Sequence, residues 1–238
     1  MRKVLKESRC RICTGSFSYL YSERCFKLIS IIIVLPKMTD AEGEKIELDY
    51  DEATVKGELA VKVICLGDSA VGKSKLVERY LVNGYKPQQL STYALSLFRH
   101  RLNVENEEVL TDFWDTAGQE RFQSMHRSYY HQAHACILVF DSTRKSTYKS
   151  LTKWYSELRK YRPYIPCLCA VNKIDENMEI TKKSFTFATR NDIPLYYVSA
   201  SDGTNVVKLF TDAVHKAIEY KKNPIDMEDQ ILEELDRM

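Results

Sequence analysis

The stretch that most constrains this chain is Gly67-Asp68-Ser69-Ala70-Val71-Gly72-Lys73-Ser74. It fits the pattern G-x-x-x-x-G-K-[ST]. Before it runs Val61-Lys62-Val63-Ile64-Cys65-Leu66, β-branched, apolar and of strand length. After it, Lys75-Leu76-Val77-Glu78-Arg79-Tyr80-Leu81 reads as a helix. A strand, a glycine-rich turn and a helix start gather backbone N–H groups around an anion. Gly67 and Gly72 lack the Cβ atoms that would obstruct that wrap. In such a loop Lys73 is placed to reach the β- and γ-phosphates of a nucleotide, and the Ser74 hydroxyl to hold Mg²⁺.

The rest of the chain alternates in kind. Leu95 to Val104 and Glu108 to Trp114 read as a hairpin, and Gln123 to His131 as a helix. Ala135 to Phe140 is continuously apolar, as a strand covered on both faces must be. Ser146 to Tyr161 carries Leu151, Trp154, Tyr155 and Leu158 at helical spacing, a stripe read as core. Cys167 to Val171 is a further buried strand, Thr181 to Arg190 a helix and Leu195 to Val198 a strand. Val206, Phe210, Ala213, Val214 and Ala217 give a last helix its apolar face. The expected class is α/β, with six strands in a mostly parallel sheet and helices on both faces.

The net charge of +2 is unevenly spread. Residues 1–37 hold eight Lys/Arg against Glu7 and Glu23, a local +6 that leaves −4 for the remainder. A slightly acidic globule is a poor nucleic-acid binder, so no nucleic-acid partner is expected. Seven cysteines without a repeating framework suit a reducing compartment, with Cys65, Cys136, Cys167 and Cys169 as small core residues. Residues 1–37 read as a basic and apolar upstream extension, or a mis-called start, with Met38 as the working initiator. Its apolar run, Leu28 to Leu35, is too short for a transmembrane helix, and Pro36-Lys37 offers no cleavage site for a signal peptide. Cys10, Cys13 and Cys25 fall short of a zinc site. Residues 38–58 are an acidic, flexible arm, 59–222 one domain, and 223–238 an acidic tail with Met227, Ile231, Leu232 and Leu235 at helical spacing. That tail is expected either to pack on the domain or to bind a partner.

Three further motifs each follow an expected strand. Asp115-Thr116-Ala117-Gly118-Gln119 places a carboxylate to organise Mg²⁺, a glycine N–H for a γ-phosphate and an amide to orient water. Asn172-Lys173-Ile174-Asp175 places a short carboxylate that accepts two hydrogen bonds from the guanine amidine edge, which adenine lacks. Ser199-Ala200 completes the base site.

In this order the motifs resemble those of the small Ras-like GTPases, over about Ala60 to Tyr220. The resemblance implies a P-loop NTPase fold and a domain that binds GTP and GDP with Mg²⁺ and hydrolyses GTP. It implies that Gly67 through Lys75 hold phosphate, that Gln119 and Lys73 are catalytic, and that Ser74, Thr92 and Asp115 bind metal. Counted from Lys73, Tyr85 takes the place of the aromatic that packs on guanine, and Thr92 that of the switch I threonine. Trp114 to Phe122, Tyr129-Tyr130 and Leu138-Val139-Phe140-Asp141 resemble the Rab branch. Tyr93-Ala94-Leu95-Ser96-Leu97 departs from the usual Rab switch I, so effectors other than the ordinary Rab ones are expected. The last cysteine is Cys169, so no prenyl anchor is expected. Met1-Arg2 and Met38-Thr39 exclude myristoylation, and the acidic tail disfavours an anionic membrane.

Leu90 to Leu95 and Gly203 to Phe210 resemble the Rab-like proteins. That likeness implies a cytoplasmic monomer at the ciliary base (basal body) and in the cilium, acting in protein transport with intraflagellar transport proteins. The leading expectation is a GTP-dependent switch with intrinsic hydrolysis on the order of 10⁻⁴ to 10⁻³ s⁻¹, there being no assignable arginine finger in the chain. The alternatives are a nucleotide-holding scaffold with little hydrolysis and an ATP-using enzyme.

Overall fold

A computed structural model describes residues 30–32, 59–82, 95–104, 106–116, 118 and 129–225. In chain order it contains β1 (Ser30–Ile32), β2 (Leu59–Leu66), α1 (Lys73–Val82), β3 (Leu95–Val104), β4 (Glu107–Thr116) and β5 (Ala135–Asp141). Then follow α2 (Lys145–Tyr161), β6 (Cys167–Asn172), two 3-10 turns (Ile174–Glu176 and Met178–Lys182), α3 (Thr186–Arg190), β7 (Leu195–Tyr197) and α4 (Val206–Lys222).

The strands form one sheet in the order β1-β3-β4-β2-β5-β6-β7. β2 pairs in parallel with β4 and β5, and β6 in parallel with β5 and β7; β3 runs antiparallel to β4. The six expected strands are present, and a seventh joins them. Ser30–Ile32 lies in a segment expected to stand apart from the domain, yet it pairs antiparallel with Leu97 to Arg99. The reason is that β3 would otherwise end the sheet with a row of unpaired N–H and C=O groups, a template for any apolar, β-branched run.

Side chains of a strand alternate between faces, and both faces here are covered. Val61, Val63 and Cys65 of β2, with Ala135, Ile137 and Val139 of β5, belong to a core shared with α1 and α4. Ile64, Leu66, Cys136, Leu138 and Phe140 face the opposite core, closed by α2 and α3. The two central strands are therefore apolar without alternation. The cysteines Cys65, Cys136, Cys167 and Cys169 are free and buried, as expected.

The expected helix over Thr181 to Arg190 is broken. A 3-10 turn ends at Lys182, Phe185 is extended (φ −116°, ψ 108°), and α3 keeps only five residues. Phe185 packs edge-on against Phe140, with ring centroids 5.0 Å apart, and against Tyr148 at 5.2 Å. Aromatic packing of this half-buried ring outweighs helical continuity at that point. Of the helix expected over 123–131, Tyr129 and Tyr130 are helical; 123–128 lie outside the described residues, as do 1–29, the arm over 38–58 and the tail from 226. Among the described residues no helix is long and apolar enough to cross a membrane.

Candidate nucleotide-binding site

The glycine-rich loop joins β2 to α1 at the end of the sheet where β4, β5 and β6 also terminate. Two of its glycines are obligatory. Gly67 has φ +145°, and a Cβ there would lie 2.1 Å from the Val139 carbonyl oxygen. Gly72 has φ +100°, and its Cβ would lie 2.2 Å from Asn172 Nδ2. Ala70, at φ +59°, adopts the left-handed region without being glycine. That strain, of order 1–3 kcal/mol, is of the kind held at functional loops by their surroundings.

Lys73 is buried. Its ammonium donates to the carbonyls of Gly67 at 2.8 Å and Asp68 at 2.9 Å, so it spans the loop and fixes its curvature. Burial lowers its pKa, against the opposing charge of Asp115. Ser74 Oγ donates to Asp115 Oδ2. Thr116 beside it donates to the Cys65 carbonyl at 2.7 Å, which locks the end of β4 onto β2. Gly118 lies against the loop itself: a Cβ on it would come 2.2 Å from the Asp68 carbonyl carbon and 2.3 Å from the Ser69 nitrogen.

The Asn172 motif meets this loop directly. Asn172 is buried at the end of β6; its Nδ2 donates to the Val71 carbonyl at 2.8 Å, and its Oδ1 accepts from the Ala200 N–H at 3.2 Å. One side chain thus joins the loop to the Ser199-Ala200 turn. Ser199 Oγ donates to Asp175 Oδ1 at 2.7 Å, and its own oxygen accepts the Asp202 N–H at 3.2 Å. Lys173 sits at φ +65° and pairs through Nζ with Asp141 Oδ2 at 2.7 Å. From α1, Arg79 donates to the Ala200 carbonyl at 2.9 Å and to that of Ser201, fastening the same turn. Lys75, on α1, pairs with Glu78 at 2.9 Å.

Two supporting residues have no motif. Trp154 Nε1, on α2, donates to Asp68 Oδ1 at 2.9 Å. Arg144, just before α2, donates from Nη2 to the Ser69 carbonyl at 3.0 Å and from Nε to Asp141 Oδ2 at 2.9 Å. Burial pushes the Asp141 carboxyl up, but hydrogen bonds from Lys173, Thr143 and Arg144 outweigh it and bring the pKa down to about 2. The helical spacing marks Trp154 only as core, and an arginine next to a helix start carries no local sign of a partner 75 residues away. Of the expected site residues, Tyr85, Thr92 and Gln119 lie outside the described residues.

Comparison with known proteins adds identity to this geometry. A sequence model of the Ras family matches residues 62–219. The chain is 61% identical over 188 residues to Rab-like protein 2A of Pongo abelii, covering 79% of this chain and 82% of that one. It is 58% identical over 196 residues to Rab-like protein 2B of Homo sapiens, covering 82% and 86%. A more distant relative, Ras-related protein Rab-9B of Homo sapiens, is 34% identical over 168 residues, covering 67% and 84%. This chain therefore belongs to the Ras family, whose members bind guanine nucleotide and effectors and hydrolyse GTP.

Proposed function

We propose that the motif residues above form the guanine-nucleotide site, with Mg²⁺ as cofactor. The observation that carries this is the placement of Asn172 between Val71 and Ala200, which brings the phosphate loop and the Asp175–Ser199 pair into one connected surface. Gly67 through Lys75 would hold the phosphates. Lys73, already anchored by two carbonyls, would present its ammonium without reorganising. Asp175, oriented by Ser199, would accept from the guanine base, with Tyr85, Lys173 and Ala200 around it.

The donor set suits Mg²⁺. Ser74 and Asp115 offer hard oxygens already in contact. Among the described residues no group of three or more His, Cys, Asp or Glu is arranged to hold a metal ion by itself. Such a site matches a cation that takes its remaining ligands from substrate phosphates and water. Thr92 would complete the protein ligands. When bound, Mg²⁺ supplies positive charge to the β- and γ-phosphate oxygens. Gln119 would orient a water in line with the γ-phosphorus; the bond from that phosphorus to the bridging oxygen breaks as the water adds. The γ-phosphate would order switch I through Thr92 and switch II through Gly118, and hydrolysis would release both. Binding of effectors to those loops would then follow the nucleotide.

The ciliary expectation is part of this proposal. Its support is likeness of sequence to the Rab-like proteins, and its partners would be basal-body and intraflagellar transport proteins. Localisation of the tagged chain tests it: signal absent from the basal body and cilium would end it. The site itself is tested by competition of GTP, GDP and ATP against a fluorescent guanine nucleotide with Mg²⁺. Tight binding of both guanine nucleotides with ATP excluded is expected; equal competition by ATP would remove Asp175 from the base site.

A further inference from the structure

Away from these motifs, β7 ends the sheet and, among the described residues, leaves one edge without a strand partner. Along it runs a groove of about 740 Å³, floored by Phe185, Ile193, Leu195 and Tyr197. The end of the second 3-10 turn and the five-residue α3, both in the chain between β6 and β7, line it. Lys182, Lys183 and Lys216 line it, and Asp192 is the one acidic residue of the lining among the described residues. Lys182 is already paired with Glu179 at 2.8 Å, whereas Lys183 and Lys216 make no ion pair among the described residues.

We propose that this groove is the docking site of the chain's own C-terminal segment, residues 226–238. Charge matches: the segment carries six carboxylate side chains, from Asp226 to Asp236, against Arg237 alone. Its apolar residues Met227, Ile231, Leu232 and Leu235 recur at the spacing of one helix face, suited to an apolar floor. Reach is sufficient. Lys216 lies on α4 only six residues before its last residue, Lys222, about 9 Å along the helix. The five residues from there to Met227 span up to roughly 17 Å when extended, more than the distance back to Lys216. Docking would cover both the apolar floor and the open strand edge, intramolecularly, at an effective concentration of order 1 mM.

The test uses the full chain. Carbodiimide coupling, which joins a lysine amine to a carboxyl as an amide, is expected to link Lys183 and Lys216 to tail carboxylates, unchanged on dilution. Links that appear only at high protein concentration would assign the groove to a second copy and overturn the proposal. Links from the tail to other lysines, or none, would also overturn it and leave Lys183 and Lys216 as guards against edge pairing. In the variant Ile231→Asp/Leu232→Asp, which alters no residue of the described domain, acylation of Lys216 by an amine-reactive probe should quicken roughly tenfold. That figure corresponds to a site of ~0.1 mM affinity at the ~1 mM effective concentration above. Equal acylation rates in the two proteins would refute docking.

Discussion

Asn172 offers the sharpest test of how the site is built, because one buried side chain holds two loops that are distant in sequence. Replacement by alanine removes the donor to the Val71 carbonyl (2.8 Å) and the acceptor of the Ala200 N–H (3.2 Å). Asn172 is 1% exposed, so neither backbone group gains bulk water in exchange. Each buried group left unsatisfied costs about 1–3 kcal/mol, so Asn172→Ala should lose about 2–6 kcal/mol. For a domain of this size that lowers Tm by roughly 5–20 °C. Urea unfolding measures the loss directly, and release of fluorescent GDP should quicken at least ~10-fold as the glycine-rich loop loses its tie. Asn172→Asp separates geometry from volume. The carboxylate still accepts from Ala200 but sets a charged oxygen against the Val71 carbonyl, so it should be no milder than alanine. An aspartate variant as stable as the wild type, with unchanged GDP release, would refute the reasoning.

Asp175→Asn should weaken GTP binding by about 10²-fold or more in the same competition assay, because a polar site built for one hydrogen-bond pattern is left mismatched. Gln119→Leu should slow single-turnover GTP hydrolysis at least ~10-fold while leaving GDP affinity within about twofold; equal hydrolysis would favour a nucleotide-holding scaffold. Lys62 predicts a pH dependence. Burial lowers its pKa to about 7 from 10.5, Asp112 opposing and Arg162 adding to the fall, while Nζ sits 3.4 Å over the Trp114 ring and donates to the His131 carbonyl. Between those two values the unfolded chain holds a proton that the folded protein has released, so stability should rise with pH above 7, by at most about 1.4 kcal/mol per pH unit. Urea midpoints from pH 6 to 9 measure that slope; a Lys62→Met variant retaining the full slope would place its origin elsewhere.

Much of the fold was legible because its signals are local. The run Val61 to Leu66 can only be a strand between two covered faces, and Gly67 and Gly72 mark positions where the observed positive φ and close contacts forbid a Cβ. The order of the four motifs sufficed to name the chemistry, since each follows a strand that a parallel sheet must end on the same side. What the sequence could not supply were contacts between segments far apart. That Asn172 bonds Val71, that Arg144 reaches Ser69 and that Trp154 holds Asp68 depend on the β-α crossovers that set β6 and α2 beside the glycine-rich loop. The same holds where tertiary packing overrode a local preference. Phe185 left the helix to pack its half-buried ring against Phe140, and Ser30–Ile32 joined the sheet because β3 offered an edge. Local pattern determined which elements exist and which chemistry they carry. Only the packed structure decided which side chains hold the site in place, because a hydrogen bond across 75 or 101 residues leaves no periodicity for a sequence to display.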